Sequence, residues 1–165
     1  MSEKLVKINQ TRIDQAGNYV GGVLAADGDT VYLRDGDKDI VDGLALVTAM
    51  DDLAVLHVLP SFRGSIAPNS YLKVNCVNSG AGKLIIEGAG LKFRIAGNST
   101  GAAKAIDQAY MRSRGTLDLD DTAVAVLNQT LGLVNVSDAV TLGDVVVSGG
   151  VTVSYTHLRA HETDS

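Results

Sequence analysis

Nucleophilic catalysis needs a base held beside the nucleophile, and outside residues 153–165 the chain has one histidine, His57. Its neighbours are Leu56, Val58 and Leu59, so it reads as a satisfied core or sheet residue. Cys76 is the sole cysteine, which excludes an intrachain disulfide and any multi-cysteine zinc site. It reads as a small buried apolar side chain. Asp35, Asp37 and Asp39 alternate as the oxygen ligands of a calcium loop do. However, Ile40 stands at the sixth position where such a loop needs glycine, and Leu46 at the twelfth where it needs glutamate. Turn-forming aspartates are the plainer account, there and at Asp118, Asp120 and Asp121. Gly80, Gly82 and Lys83 echo a phosphate loop. Leu84 follows in place of Ser or Thr, Val77 occupies the first glycine position, and a strand follows where a helix is needed. Gly88 and Gly90 lack the third glycine of a dinucleotide fingerprint, so both glycine clusters read as hairpin turns. A polysaccharide-cleaving enzyme needs only two acids across a cleft, but no carboxylate pair stands out by spacing. Asn9, Asn98, Asn128 and Asn135 begin Asn-x-Ser/Thr triplets, which carry little weight without a leader. The expectation is no catalytic residue, no cofactor-binding residue and no metal ligand.

The elements that would position any site are strands. Eighteen glycines and two prolines punctuate short Val, Ile and Leu runs, the texture of β structure. In the run from Leu91 to Ile95, period-two alternation puts Leu91, Phe93 and Ile95 on one face and Lys92 and Arg94 on the other. Leu72, Val74 and Cys76 likewise oppose Tyr71, Lys73 and Asn75. With a third run from Lys83 to Glu87, short glycine turns would make an antiparallel meander. Thr30 to Arg34 is another strand. Residues 42–59 and 101–112 fit either strand or helix, the second after a cap in Asn98 to Thr100; strands are favoured for both. From Leu133 onward, apolar pairs begin at 134, 140, 145 and 151, a short period that suits a solenoid or an intertwined stalk. The predicted fold is all-β: an antiparallel meander or sandwich-like module over 1–132, divisible into 1–60 and 61–132, then a short-period β stalk or solenoid-like segment over 133–152. A parallel β-helix is the alternative.

Residues 153–163, Val-Ser-Tyr-Thr-His-Leu-Arg-Ala-His-Glu-Thr, resemble residue for residue one reading frame of a transposase-library sequencing adapter. That resemblance implies a natural chain cut before its own C-terminus, with the junction near Thr152 or Val153. Discounting Arg159, Glu162 and Asp164 takes the 14 basic and 19 acidic residues to 13 and 17, a net charge of −4. A mildly acidic chain with dispersed Lys and Arg offers no basic face for nucleic acid. The opening Met-Ser-Glu-Lys-Leu-Val-Lys lacks the apolar run of a signal peptide, and no stretch approaches a membrane span. Assembly in a cytoplasm without membrane insertion is expected.

Residues 66–131 resemble a module of bacteriophage tail fibres and related virion appendages. The resemblance is carried by Ala67-Pro-Asn-Ser-Tyr71, by the run from Gly82 to Ile95 and by Gln108-Ala-Tyr110. The family often carries an acidic turn followed by Trp, whereas Thr122 follows Asp120 and Asp121 here. The resemblance implies a non-enzymatic virion component, typically a homotrimer. It would assemble with other virion proteins and contact a host-surface glycan. The run from Val23 to Leu33 instead resembles the opening of right-handed parallel β-helix proteins, many of which bind or cleave polysaccharide. A capsid-surface decoration protein shares the fold class. Strand direction separates the first two: the fibre module requires antiparallel neighbours, the β-helix parallel ones.

Overall fold

The structure is a computed structural model describing residues 2–41, 52–101 and 104–154. Nearly all of its regular structure is strand; the exception is one 3-10 turn at Ala16–Asn18. Fourteen strands follow in order: β1 Glu3–Leu5, β2 Thr30–Leu33, β3 Asp52–Leu53, β4 Val55–Val58, β5 Leu72–Lys73, β6 Asn75–Cys76, β7 Lys83–Ile86, β8 Lys92–Ala96, β9 Ala105–Met111, β10 Thr116–Asp120, β11 Ala123–Gln129, β12 Leu133–Val136, β13 Thr141–Val147 and β14 Val151–Ser154. The strand reading therefore holds over 52–58 and 105–111. The rest of the ambiguous 42–59 segment, residues 42–51, lies outside the described residues, as do 102 and 103.

All strand pairings are parallel, and this overturns the antiparallel meander. A nine-stranded sheet runs β1-β2-β4-β7-β9-β11-β13, with β3 and β6 alongside, and a five-stranded sheet runs β5-β8-β10-β12-β14. From β7 onward the chain alternates between the two sheets, one strand in each. Lys83 pairs with Gln108, Gln108 with Val126, and Val126 with Asp144. A circuit thus takes 25 residues and then 18. The short repeat read after Leu133 is a fraction of one circuit, because Leu133 pairs with Val151, 18 residues on. The glycine clusters misled for a related reason. Gly88 to Gly90 carry the chain from β7 in one sheet to β8 in the other and do not fold it back as a hairpin.

In-register stacking places like on like. Val31, Leu56, Leu84, Ala109 and Leu127 form one inner row, each at most 1% exposed. Phe93, Leu117 and Val134 form another. Inner residues step by three at Leu53/Leu56, Ile106/Ala109 and Val124/Leu127. In β9 the step leaves two outward residues in succession, Asp107 and Gln108. Between β6 and β7 a loop takes the place of that step. The Asp107 carboxylate braces it by accepting the N–H groups of Asn78 and Gly82, both at 2.8 Å.

Two alternation readings need correction. Leu91 is 81% exposed, because it belongs to the corner after Gly90 and the strand begins only at Lys92. The run from Tyr71 to Val77 is broken at Val74: β5 lies in one sheet and β6 in the other. At that corner Asn75 is fully buried. It donates from Nδ2 to Asp52 Oδ1 (2.9 Å) and to Asn98 O (3.0 Å), and its Oδ1 accepts from Asn98 N (2.9 Å). Asn98 sits at the same corner one circuit later, and its side chain receives Thr100 N (3.1 Å). Asn98 to Thr100 is therefore a side-chain-stabilised turn, and no helix follows it.

A column of glycines makes the other corner. A Cβ on Gly90 would lie 2.0 Å from Gly64 O, one on Gly115 2.5 Å from Gly90 O, one on Gly132 2.5 Å from Gly115 O, and one on Gly150 2.4 Å from Gly132 O. Each circuit's backbone rests on the glycine before it, at a separation no side chain permits.

Candidate functional site

The outer face of the five-stranded sheet gathers a row of polar and aromatic side chains. Register puts Arg94 beside Asp118 and Asp118 beside Asn135. Leu72 pairs with Ile95, which sets Tyr71 beside Arg94. One residue from each of four neighbouring circuits thus forms a row spaced at about 4.8 Å. The Arg94 guanidinium lies 4.3 Å above the Tyr71 ring centroid, a cation–π stack. Its Nε is 3.3 Å from Asp118 Oδ2, and Asn135 Nδ2 donates to Asp118 Oδ1 at 2.8 Å. One step along the strands, Ser137 Oγ donates to Asp120. Tyr71, Arg94, Asp118, Asn135 and Ser137, with Leu119, line a cavity of about 170 Å³.

Arg94 Nε is buried and makes no hydrogen bond among the described residues. Its approach to Asp118 is an ion pair without hydrogen-bond geometry. The Asp118 carboxylate offsets the Arg94 charge at that distance.

His57 points outward from the larger sheet and is half-buried; it is not a core residue. Its Nε2 lies 2.7 Å from Glu87 Oε2. A carboxylate only accepts, so Nε2 carries the proton. Arg112 Nη1 donates to Glu87 Oε1 at 3.2 Å, and its guanidinium lies 4.8 Å from the Tyr110 ring centroid. The His57 hydrogen bond, aided by Arg112 and opposed by burial, holds the Glu87 carboxyl below its ordinary range. At Asp29 burial works against the charged form. The N–H groups of Ala26 and Ser2, the Ser2 hydroxyl and Lys4 outweigh it, so this carboxyl too sits low.

These two depressed groups set an acid limb. Their stability is fully present above the ordinary carboxylate pKa of about 4 and drains as pH falls through the lower folded values. Thermal midpoints recorded from about pH 6 to pH 3 should fall at the acid end, and Glu87→Gln should flatten that fall. An unchanged acid limb in the variant would refute the assignment.

The remaining sequence candidates are structural in their contacts. Cys76 is fully buried in an inner row, and desolvation pushes its thiol up to about 12. Asp35 pairs with Arg34 at 3.6 Å, and Asp39 accepts Ser65 N at 2.8 Å. Asp121 pairs with Lys104 and has a φ of 42°, as a turn residue does. Asp118 and Asp120, read from sequence as turn formers, instead lie within β10 and face outward. The row containing Asp118 was missed because its members lie 17 to 24 residues apart. Only the parallel register brings them together.

Fold and site together define a class: an all-β protein of two parallel sheets, with a polar and aromatic row across one outer face. Beyond that class the comparisons add no narrower identity: no family model, curated protein or solved structure matches the chain.

Proposed function

We propose that the protein is a parallel β-helix that binds polysaccharide on the outer face of its five-stranded sheet. The supporting observation is the row Tyr71, Arg94, Asp118 and Asn135, in which an aromatic ring, a guanidinium, a carboxylate and an amide stand on successive circuits and line one cavity. Sugars present C–H faces that pack on an aromatic ring and hydroxyls that both donate and accept. A linear glycan also matches a row that repeats with every circuit. The reading is of binding, without an assigned reaction.

A panel of neutral oligosaccharides, screened on an array and followed by calorimetry, provides the test. Tyr71→Ala and Arg94→Ala should each weaken the retained ligand about tenfold or more, equivalent to about 1.4 kcal/mol. Retention of no glycan, or equal binding by folded variants, would refute the proposal.

A second reading, a structural part of a virion appendage, is favoured by a different observation. Val145, Val146 and Val147 on β13 and Val151 on β14 are 43–57% exposed, and these two strands form the last edge of each sheet. Among the described residues no further strand pairs with either edge, and open edges of this kind template association. On this reading light scattering finds a trimer that dissociates in a Val146→Lys variant; a monomer at micromolar concentration contradicts it.

A further inference from the structure

The glycine-column corner holds a second concavity, of about 430 Å³, lined among others by Pro60, Glu87, Leu91, Arg112, Arg114 and Leu131. Its walls are apolar where they are most open: Leu91 is 81% and Leu131 44% exposed. Its charge is the reverse of the whole chain's. The carboxylate lining it belongs to Glu87, and His57 and Arg112 already hold it from both sides. Arg114 is exposed and makes no hydrogen bond or ion pair among the described residues. The Arg63 side chain is likewise exposed and without a hydrogen bond or ion pair among the described residues, while its backbone N–H donates to Gly36 O at 2.7 Å.

The positions of these two arginines are related by the fold. Arg63 immediately precedes Gly64 and Arg114 immediately precedes Gly115. The column stacks Gly64, Gly90 and Gly115 on successive circuits, with Ala89 preceding the middle one. The backbone positions that carry two uncommitted guanidiniums therefore lie two circuits apart, roughly 9–10 Å along the stacking direction; Arg114 lines the concavity, and Arg63 stands outside its lining. Arginine suits this role, because its planar fork pairs with a carboxylate in two places. The apolar groove beside them offers packing surface for the C–H faces of a sugar.

From this juxtaposition we infer that the corner groove binds an anionic glycan bearing a carboxylate on alternate sugars, with Arg114 and Arg63 each taking one carboxylate. This inference rests on the glycan-binding reading but uses a different face. Glu87 and Arg112 act as positioning residues: Arg112 is turned toward Glu87 and Tyr110, which leaves Arg114 as the groove's free cation. Binding to a chain of net charge −5 is local, so it should weaken with salt in proportion to the few contacts made.

The test uses the full chain and three probes of matched length: a hyaluronate octasaccharide, a neutral chito-oligosaccharide, and polyglutamate as a polyanion without sugar. Calorimetry at low salt should detect hyaluronate binding. Arg114→Ala and Arg63→Ala should each weaken it about tenfold, with Arg114→Lys recovering part of the loss. Both arginine side chains are exposed and unpaired, so the variants should melt like the parent. Polyglutamate binding as tight as hyaluronate binding would reduce the site to plain charge and overturn the inference. So would absent hyaluronate binding, or binding indifferent to both arginines. Neutral-glycan binding that depends on Tyr71 and Arg94, beside hyaluronate binding that is absent or indifferent to both arginines, would keep the sheet-face reading standing while the corner inference falls. Loss of all glycan binding would sink both.

Discussion

Gly90→Ala is expected to destabilise the protein by about 3 kcal/mol or more. The added Cβ would sit 2.0 Å from the carbonyl oxygen of Gly64 and 3.2 Å from Ser65 N. Both are backbone atoms of the preceding circuit, so no rotamer change relieves the overlap. The circuits must part at that corner, and the pairing of β8 on either side must loosen with them. Gly17→Ala is the control. Nothing lies within 4 Å of its Cβ position, and Gly17 is not among the positive-φ glycines. That substitution should leave stability unchanged or raise it by up to about 1 kcal/mol through the unfolded chain. Urea unfolding of the two variants beside the parent makes the comparison. A Gly90→Ala protein within 1 kcal/mol of the parent would mean that the column is not packed as described.

Phe93→Ala should cost about 3–5 kcal/mol. Phe93 is fully buried, bridged to Ile66 on one side and paired with Leu117 on the other. Its ring also reaches the corner, where Cε2 would lie 3.0 Å from a Cβ on Gly115. Removing it empties space between three circuits whose backbones are already locked by sheet hydrogen bonds and cannot collapse inward. Leu91→Ala, two residues away, should change stability by no more than about 0.5 kcal/mol, because Leu91 faces solvent. Simple alternation puts Leu91 and Phe93 on the same face, so equal effects at the two positions would restore that simpler strand and contradict the corner.

What the sequence conveys and what it withholds follow from the range of each signal. Period-two alternation is local, so the β character of Lys92 to Ala96 and of Thr30 to Leu33 is readable from a handful of residues. Strand direction is not local. An antiparallel turn and a corner between two sheets both call for glycine, and nothing within Gly88-Ala-Gly90 separates them. The discriminating signal is long-range: Gly64, Gly90, Gly115, Gly132 and Gly150 recur at intervals of 26, 25, 17 and 18 residues, irregular enough to escape notice as a repeat. The irregularity has a structural source in loops such as the Asp107-braced one between β6 and β7, which lengthen a circuit without disturbing its inner rows.

The site was hidden for the same reason. Tyr71, Arg94, Asp118 and Asn135 are unremarkable residues on four separate strands, and parallel register turns them into neighbours. Asp118 alone next to Asp120 and Asp121 looks like a turn. Beside Arg94 and Asn135 it becomes part of a polar cavity. His57 was legible as a sheet residue from its apolar neighbours. Its partner Glu87, thirty residues on, was not.

Cross-strand proton contacts by nuclear magnetic resonance test the stacking most directly, because antiparallel neighbours bring Hα atoms face to face and parallel neighbours do not. The account predicts amide-to-Hα contacts linking Lys92 with Thr116 and Thr116 with Leu133, in the register Arg94, Asp118, Asn135, without close Hα–Hα pairs between those strands. Close Hα–Hα pairs joining Leu72 to Cys76 with Lys83 to Ile86 would contradict it, and with it both proposed glycan sites.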